Sequence, residues 1–216
     1  MNKRTVISEV IFLRALAILL VLLYHCNFNF FKNGFIGVDI FFFISGYLMT
    51  KLYAEGKISI KVFYLKRIKR IVPVFVVFIF LVLLLSILLS SPDHFLKTIK
   101  TLVFSTIFSS NFYFWHTTKD YWAESMHLNP LLHTWSLSLE MQFYLIFPLI
   151  FFFRNIAVYI LIFLSLLSLV FIELFKYSDA SFYLIFSRFI QFFIGYFFYF
   201  LKKNFKFSDL YFIFFI

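Results

Sequence analysis

Arg14 and His25 stand eleven residues apart in RALAILLVLLYHC, with only apolar residues and Tyr24 between them. On an α-helix that spacing turns through about 1,100°, some 20° from three full revolutions, and rises about 16 Å. The two side chains therefore share one helix face, about half a hydrocarbon thickness apart in depth. An imidazole at the edge of such a span suits proton transfer at neutral pH, taking a proton from a hydroxyl and returning it to a leaving group. A neighbouring carboxylate would orient it. The candidates are Asp39 in GFIGVDIFFFISGY and Glu140 in HTWSLSLEMQFY. Each of these residues also has a plainer reading. Arg14 can snorkel towards the membrane face, and His25 can be an interfacial histidine. Asp39 can serve the start of a helix, where the dipole favours an acid, and Glu140 can form a structural pair with an arginine.

Further cations need reasons of their own. Arg67 and Arg70 in FYLKRIKRIVP are three apart, on one face of a helix expected to lie along the inner membrane surface. Arginines so placed fork onto nucleotide phosphates, or anchor the chain at anionic head groups. Arg188 in SFYLIFSRFIQFF lies within an apolar run and wants an acid, for which Glu140 and Glu173 are available. Placing such a group centrally in a membrane costs about 2.5–3.5 kcal/mol on insertion scales. His116, His127 and His133 match no metal-ligand spacing, so no metal site is expected.

The elements that must position these residues are membrane helices. Of 216 residues, 63% are hydrophobic and 14% charged, with a mean hydropathy of +0.95, which excludes an ordinary soluble domain. The fold class is all-α, a polytopic transmembrane helix bundle. The net charge of +10 sits at the ends of apolar runs and follows the positive-inside rule, so nucleic acid is not an expected partner. A sole cysteine, Cys26, excludes an internal disulfide. No small residues mark a cleavage site ahead of it, so the first run reads as a retained helix.

Apolar runs predict helices at about 7–25, 35–53, 71–90, 135–153, 157–175 and 181–201. The basic connector 51–70 is cytoplasmic, which puts the N-terminus in the cytoplasm and the 26–34 loop outside. If the Ser-, Thr- and Asn-bearing stretch 96–115 crossed the membrane, Arg154 and the KKNFK cluster at 202–206 would lie outside. It is therefore expected to be re-entrant or interfacial, backed by protein. That placement puts Asp93, His116, Asp120, Glu124, His127 and His133 on the same side as His25. The final DLYFIFFI, 209–216, reads as the start of a seventh helix, so residues 1–216 read as the N-terminal part of one membrane domain.

In order along the chain, LRALAILLVLLYH, GFIGVDIFFFISGYLMT, FYLKRIKRIVP, SSNFYFW and NPLLHTWSLSLEMQFY resemble the motifs of the acyltransferase 3 family. These are bacterial inner-membrane O-acyltransferases, and the resemblance runs over residues 8–200. It implies transfer of an acyl group, commonly acetyl, from cytoplasmic acyl-CoA to a hydroxyl of a cell-surface or lipid-linked glycan such as lipopolysaccharide, peptidoglycan or exopolysaccharide. The partners implied are acyl-CoA, the glycan and membrane lipids, with no bound cofactor. Arg67 and Arg70 would hold the CoA phosphates, and Arg14 would line the donor path. His25 would act as base or covalent carrier, and Glu140 or Asp39 would orient or reprotonate it. Ser45, Tyr47, His133, Trp135 and Arg188 are supporting candidates. Where the family carries an aromatic-acid pair after the last of these, this chain has Ile190 and Gln191. Family members also carry further spans, which leaves two rival expectations: a truncated inactive remnant, or a lipid-linked saccharide transporter or flippase.

Overall fold

The computed structural model describes residues 3–26, 28–56, 59–117, 129–152, 156–176 and 179–204. Among them there is no strand. The helices are α1 (Lys3–His25), α2 (Ile36–Ala54), α3 (Ile60–Leu89), α4 (Pro92–Thr106), α5 (Ser110–Thr117), α6 (Thr134–Phe152), α7 (Ala157–Leu174), α8 (Ala180–Tyr183) and α9 (Phe189–Asn204). Four of them, α1, α2, α3 and α7, are long and apolar enough to cross a membrane. Asp120, Glu124, His127, Arg154, the end of the KKNFK cluster and residues 209–216 lie outside the described residues.

Two expected elements need correction. The helix predicted at 71–90 starts eleven residues earlier, at Ile60, so Arg67 and Arg70 belong to α3 and not to a separate surface helix. Ser59 begins it by accepting the Val62 N–H at 3.4 Å. Pro73 reads as a boundary in the sequence, yet it removes only one ladder hydrogen bond, and the helix continues through it. The span predicted at 181–201 is likewise not continuous. It divides into α8, an extended Leu184, a tight turn over Ile185–Ser187, and then α9. The break is supported by Asn111, whose Nδ2 donates to the Tyr183 carbonyl at 3.2 Å.

The stretch 96–115 is two helices joined at Phe108, whose φ of 53° is uncommon for a bulky residue. Phe108 takes the left-handed position that ends α4. Its N–H donates to Ser105 O at 3.0 Å, and the next N–H, of Ser109, reaches back to Phe104 O at 2.9 Å. This is the Schellman arrangement, with phenylalanine where glycine is usual.

The contacts divide the chain into two units. The first holds α1, α2, α9 and Val158–Ser168 of α7. Its helices meet at backbone distance. A Cβ on Gly46 would lie 2.1 Å from Phe192 O, and one on Gly195 would lie 2.1 Å from Phe43 O. On the other side of α2, a Cβ on Gly37 or Gly34 would come within 2.4 Å of Ala17 O or 2.3 Å of Leu20 O. Small residues at such crossings are how membrane helices gain van der Waals contact when lipid removes the hydrophobic drive between them. Phe42 against Phe192, with ring centroids 5.0 Å apart, and Phe43 against Phe198, at 5.5 Å, pack beside the glycines. The register shows α9 parallel to α2 and α1 antiparallel to both. Lys202 at the end of α9 also pairs with Glu9 near the start of α1.

The second unit holds α3 to α6, α8 and the end of α7. Its core includes Phe114, Leu131, Leu139 and Phe143. A buried polar seam runs beside these residues. Thr134, Ser138 and Gln142, four apart on α6, present one face. Thr134 Oγ1 bonds Ser105 Oγ at 2.8 Å and Ser110 Oγ at 2.9 Å, while Ser138 Oγ bonds Ser110 Oγ at 2.8 Å. Gln142 Nε2 donates to Asn111 Oδ1 at 2.8 Å and to the carbonyl of Phe108 at 3.1 Å. Asn129 ties the turn before α6 to α4 by donating to Thr101 Oγ1 at 2.8 Å.

The glycine contacts set an expectation for stability. Gly46→Ala forces backbone against backbone and should destabilise the first unit by about 1–3 kcal/mol, the usual range for overpacking. Thermal unfolding of purified protein in detergent reads this directly, and a midpoint equal to that of the parent would refute the close approach.

Candidate active site

The first unit places six of the expected site residues: Arg14, His25, Asp39, Ser45, Tyr47 and Arg188. His25 is the last residue of α1 and is exposed. Its Nδ1 lies 2.7 Å from the carbonyl oxygen of Val21, which can only accept, so Nδ1 carries the proton. In the neutral imidazole the lone pair is then on Nε2, the arrangement a general base needs. The ring of Tyr24 stands edge-on to it at 5.0 Å. Arg14 is half-buried on the same unbroken helix, so the eleven-residue spacing holds both groups to one face.

Asp39 lies in the first turn of α2 without being its cap residue. Phe35 occupies the cap position, and the Asp39 carboxylate faces the start of α9. Arg188 Nη1 donates to its Oδ1 at 3.0 Å, and Gln191 Nε2 donates to the same oxygen at 3.3 Å. The Glu173 carboxylate pairs with Lys176, and the acid that Arg188 reaches is Asp39. Their side chains are 12% and 29% exposed, so the pair is largely withdrawn from solvent and fixes α9 to α2. Gln191, which stands where the family pattern has an acid, shares this carboxylate. Ser45 is buried within α2, and Tyr47 is buried against the rings of Phe198 and Tyr199. Tyr47 thereby serves the α2–α9 contact.

The second unit places the rest. Arg67 lies with its guanidinium carbon 4.8 Å above the ring of Tyr144 and 5.6 Å from that of Phe63. A cation over an aromatic face is held by the ring's electron density while its N–H donors stay suited to a planar anion. The Tyr144 hydroxyl donates to Glu140 Oε1, one helical turn back. Beside this pair Tyr64 donates to the carbonyl of Leu145 at 3.2 Å, which joins α3 to α6. Arg70 is exposed, as is His133. Trp135 is buried, packed 4.6 Å from Phe182 and 5.6 Å from Tyr183, ring centroid to centroid.

The candidate residues thus fall into two groupings: Arg14 and His25 along α1, and Arg67–Tyr144–Glu140 between α3 and α6. Tyr144 was not among the residues singled out in the sequence. Its four-residue spacing from Glu140 was the available signal. The polar face of Thr134, Ser138 and Gln142 was equally visible as a four-residue repeat in an apolar helix.

The acyltransferase 3 family profile, described as an acyltransferase domain, matches residues 7–216. The chain is 37% identical over 143 residues to O-acetyltransferase OatA of Staphylococcus aureus strain NCTC 8325, a match covering 64% of this chain and 23% of that protein. It is 38% identical over 144 residues to "Putative O-acetyltransferase SACOL0978" of Staphylococcus aureus strain COL, again with 64% and 23% coverage. The matched part therefore spans less than a quarter of the length of these relatives. No solved structure matches.

The Asp39–Arg188 pair predicts a non-additive response. Asp39→Asn removes a charged partner from a largely buried guanidinium and should cost about 3 kcal/mol in unfolding free energy. Adding Arg188→Met should return most of that loss, because both charges are then gone. Equal losses that simply add, in unfolding followed in detergent, would show that the pair does not hold α9.

Proposed function

The chain belongs to the acyltransferase 3 family, and from that footing we propose that it moves an acetyl group from cytoplasmic acyl-CoA to a hydroxyl of a cell-surface glycan. The observation that carries this reading is the unbroken α1, with Arg14 part-way along it and His25 at its end, the imidazole lone pair set on Nε2. The O-acetyltransferase names of the relatives supply the acyl group and the kind of acceptor atom.

In the proposed reaction the acceptor oxygen attacks the thioester carbon. A C–O bond forms, the C–S bond breaks, and the coenzyme leaves as its thiol with the proton that the hydroxyl gave up. His25 takes that proton at Nε2, or carries the acyl group there between donor and acceptor. Arg67 and Arg70, three apart on α3, hold the phosphates of the donor, where guanidinium forks match the anion. Arg14 lines the path of the pantetheine arm, whose reach is comparable to the distance that α1 sets between Arg14 and His25. Glu140 supplies the carboxylate that receives or returns a proton.

The proposed setting is a bacterial cytoplasmic membrane, with the start of α1 inside and His25 at the outer end. Cys26 adjoins His25, is exposed and is the sole cysteine, so it reports on that orientation. A membrane-impermeant maleimide added to intact cells should label it. Labelling only after the membrane is opened would reverse the topology. For the chemistry, glycans from cells carrying the chain should gain the mass of one acetyl group, and His25→Ala should lower that transfer by about 100-fold or more. Full transfer by the His25→Ala variant, at parent levels in the membrane, would overturn the role of His25.

A further inference from the structure

Tyr144 is 3% exposed and makes two different contacts with two charged side chains. The face of its ring lies under the Arg67 guanidinium, and its hydroxyl donates to the Glu140 carboxylate. Phe63, also buried, sets its ring nearly perpendicular to that of Tyr144, 86° between planes with centroids 6.3 Å apart, and so holds the phenol in place from a third side. Arg67 and Glu140 belong to different helices, and one rigid side chain joins them.

We infer that Tyr144 is a positioning residue that links donor binding at Arg67 to the state of Glu140. The inference rests on the donor role proposed above for Arg67. Its physical basis is polarisation through the phenol. A hydroxyl that donates to an anion passes electron density into its ring, which strengthens the ring's hold on a cation above it. A cation over the ring in turn makes the hydroxyl a better donor. Hydrogen-bonded groups in a site of low dielectric reinforce one another in this way. When a phosphate engages Arg67 it partly neutralises that cation, and the change reaches Glu140 through the same hydroxyl. Coupling of this kind is reciprocal, so the charge on Glu140 must be felt in the affinity for the donor. The ring also performs a second task, holding the flexible arginine side chain in one place before the donor arrives.

These two tasks belong to different parts of Tyr144, and substitution separates them. The probe is coenzyme A itself, titrated onto the full chain in detergent, with protein recovery from membranes and unfolding midpoint measured for every variant. Tyr144→Phe keeps the ring, so its affinity should stay within about two-fold of the parent. Tyr144→Leu removes the ring, and the affinity should fall about five-fold, the size of one cation–π contact. Glu140→Gln should then change the affinity at least about two-fold more in the parent than in the Tyr144→Phe background, which is the signature of coupling through the hydroxyl. A general structural role for Tyr144 would not produce that difference. Equal effects of Glu140→Gln in both backgrounds would overturn the linkage, and so would a Tyr144→Phe variant as weak as Tyr144→Leu. A parent chain that binds no coenzyme A would overturn the donor role of Arg67 and the linkage together. Binding by the parent with no coupling would remove the linkage alone.

Discussion

Within the first unit, α2 is held by backbone contact on two sides, and the positions of its neighbours follow from that. Gly34 and Gly37 bring it onto α1, while Gly46 with Gly195 brings it onto α9, at separations that leave no room for a methyl group. In a bilayer, apolar side chains gain little by leaving lipid for one another, so close shape and polar ties decide which helices associate. The ties are present at both ends of α9. Asp39 receives Arg188 and Gln191 at one end, and Glu9 receives Lys202 at the other. His25 and Arg14 inherit their stations from this arrangement, because α1 can meet α2 at backbone distance only in the register that puts Ala17 against Gly37 and Leu20 against Gly34.

The second unit solves a different problem, that of two helices too polar and too short to face lipid. Thr98, Thr101, Ser105, Ser110 and Asn111 on α4 and α5 are all buried, and such groups are costly without partners. The face of α6 carrying Thr134, Ser138 and Gln142 supplies several of these partners, and Gln142 also takes the Phe108 carbonyl at the left-handed turn. Several polar letters of the NPLLHTWSLSLEMQFY block therefore serve this seam, while Tyr144 meets Arg67 with its ring and Glu140 with its hydroxyl.

What the sequence made legible was local. The Arg14–His25 spacing survives because nothing interrupts α1, and the polar side chains of 96–115 belong to two helices that meet at Phe108. Long-range pairings were not legible. Nothing local distinguishes Asp39 from Glu140 or Glu173 as the acid for Arg188, since they stand 149, 48 and 15 residues away in the chain. The extent of α3 was hidden by Pro73 and by the density of lysine and arginine before it, both of which resemble a boundary when read one residue at a time. The break before α9 was hidden for the opposite reason. The run 181–201 is apolar throughout, and the carbonyl that lets it bend is satisfied by Asn111, about 70 residues away.

The length of α3 has a consequence for depth. Its 30 residues extend about 45 Å, half as long again as the roughly 30 Å of hydrocarbon in a bilayer. The stretch from Ile71 to Leu89 alone measures about 28 Å, nearly one hydrocarbon thickness, and carries no charge. Set across a membrane, α3 keeps that stretch in the lipid and carries Lys66, Arg67, Lys69 and Arg70 out to the head-group layer. The height of these four cations is then a mechanical property of the helix: a thinner bilayer is met by tilt, and a tilt swings the arginine end sideways more than it lowers it. Lipid composition thereby becomes an input to where Arg67 sits, transmitted along a single rod.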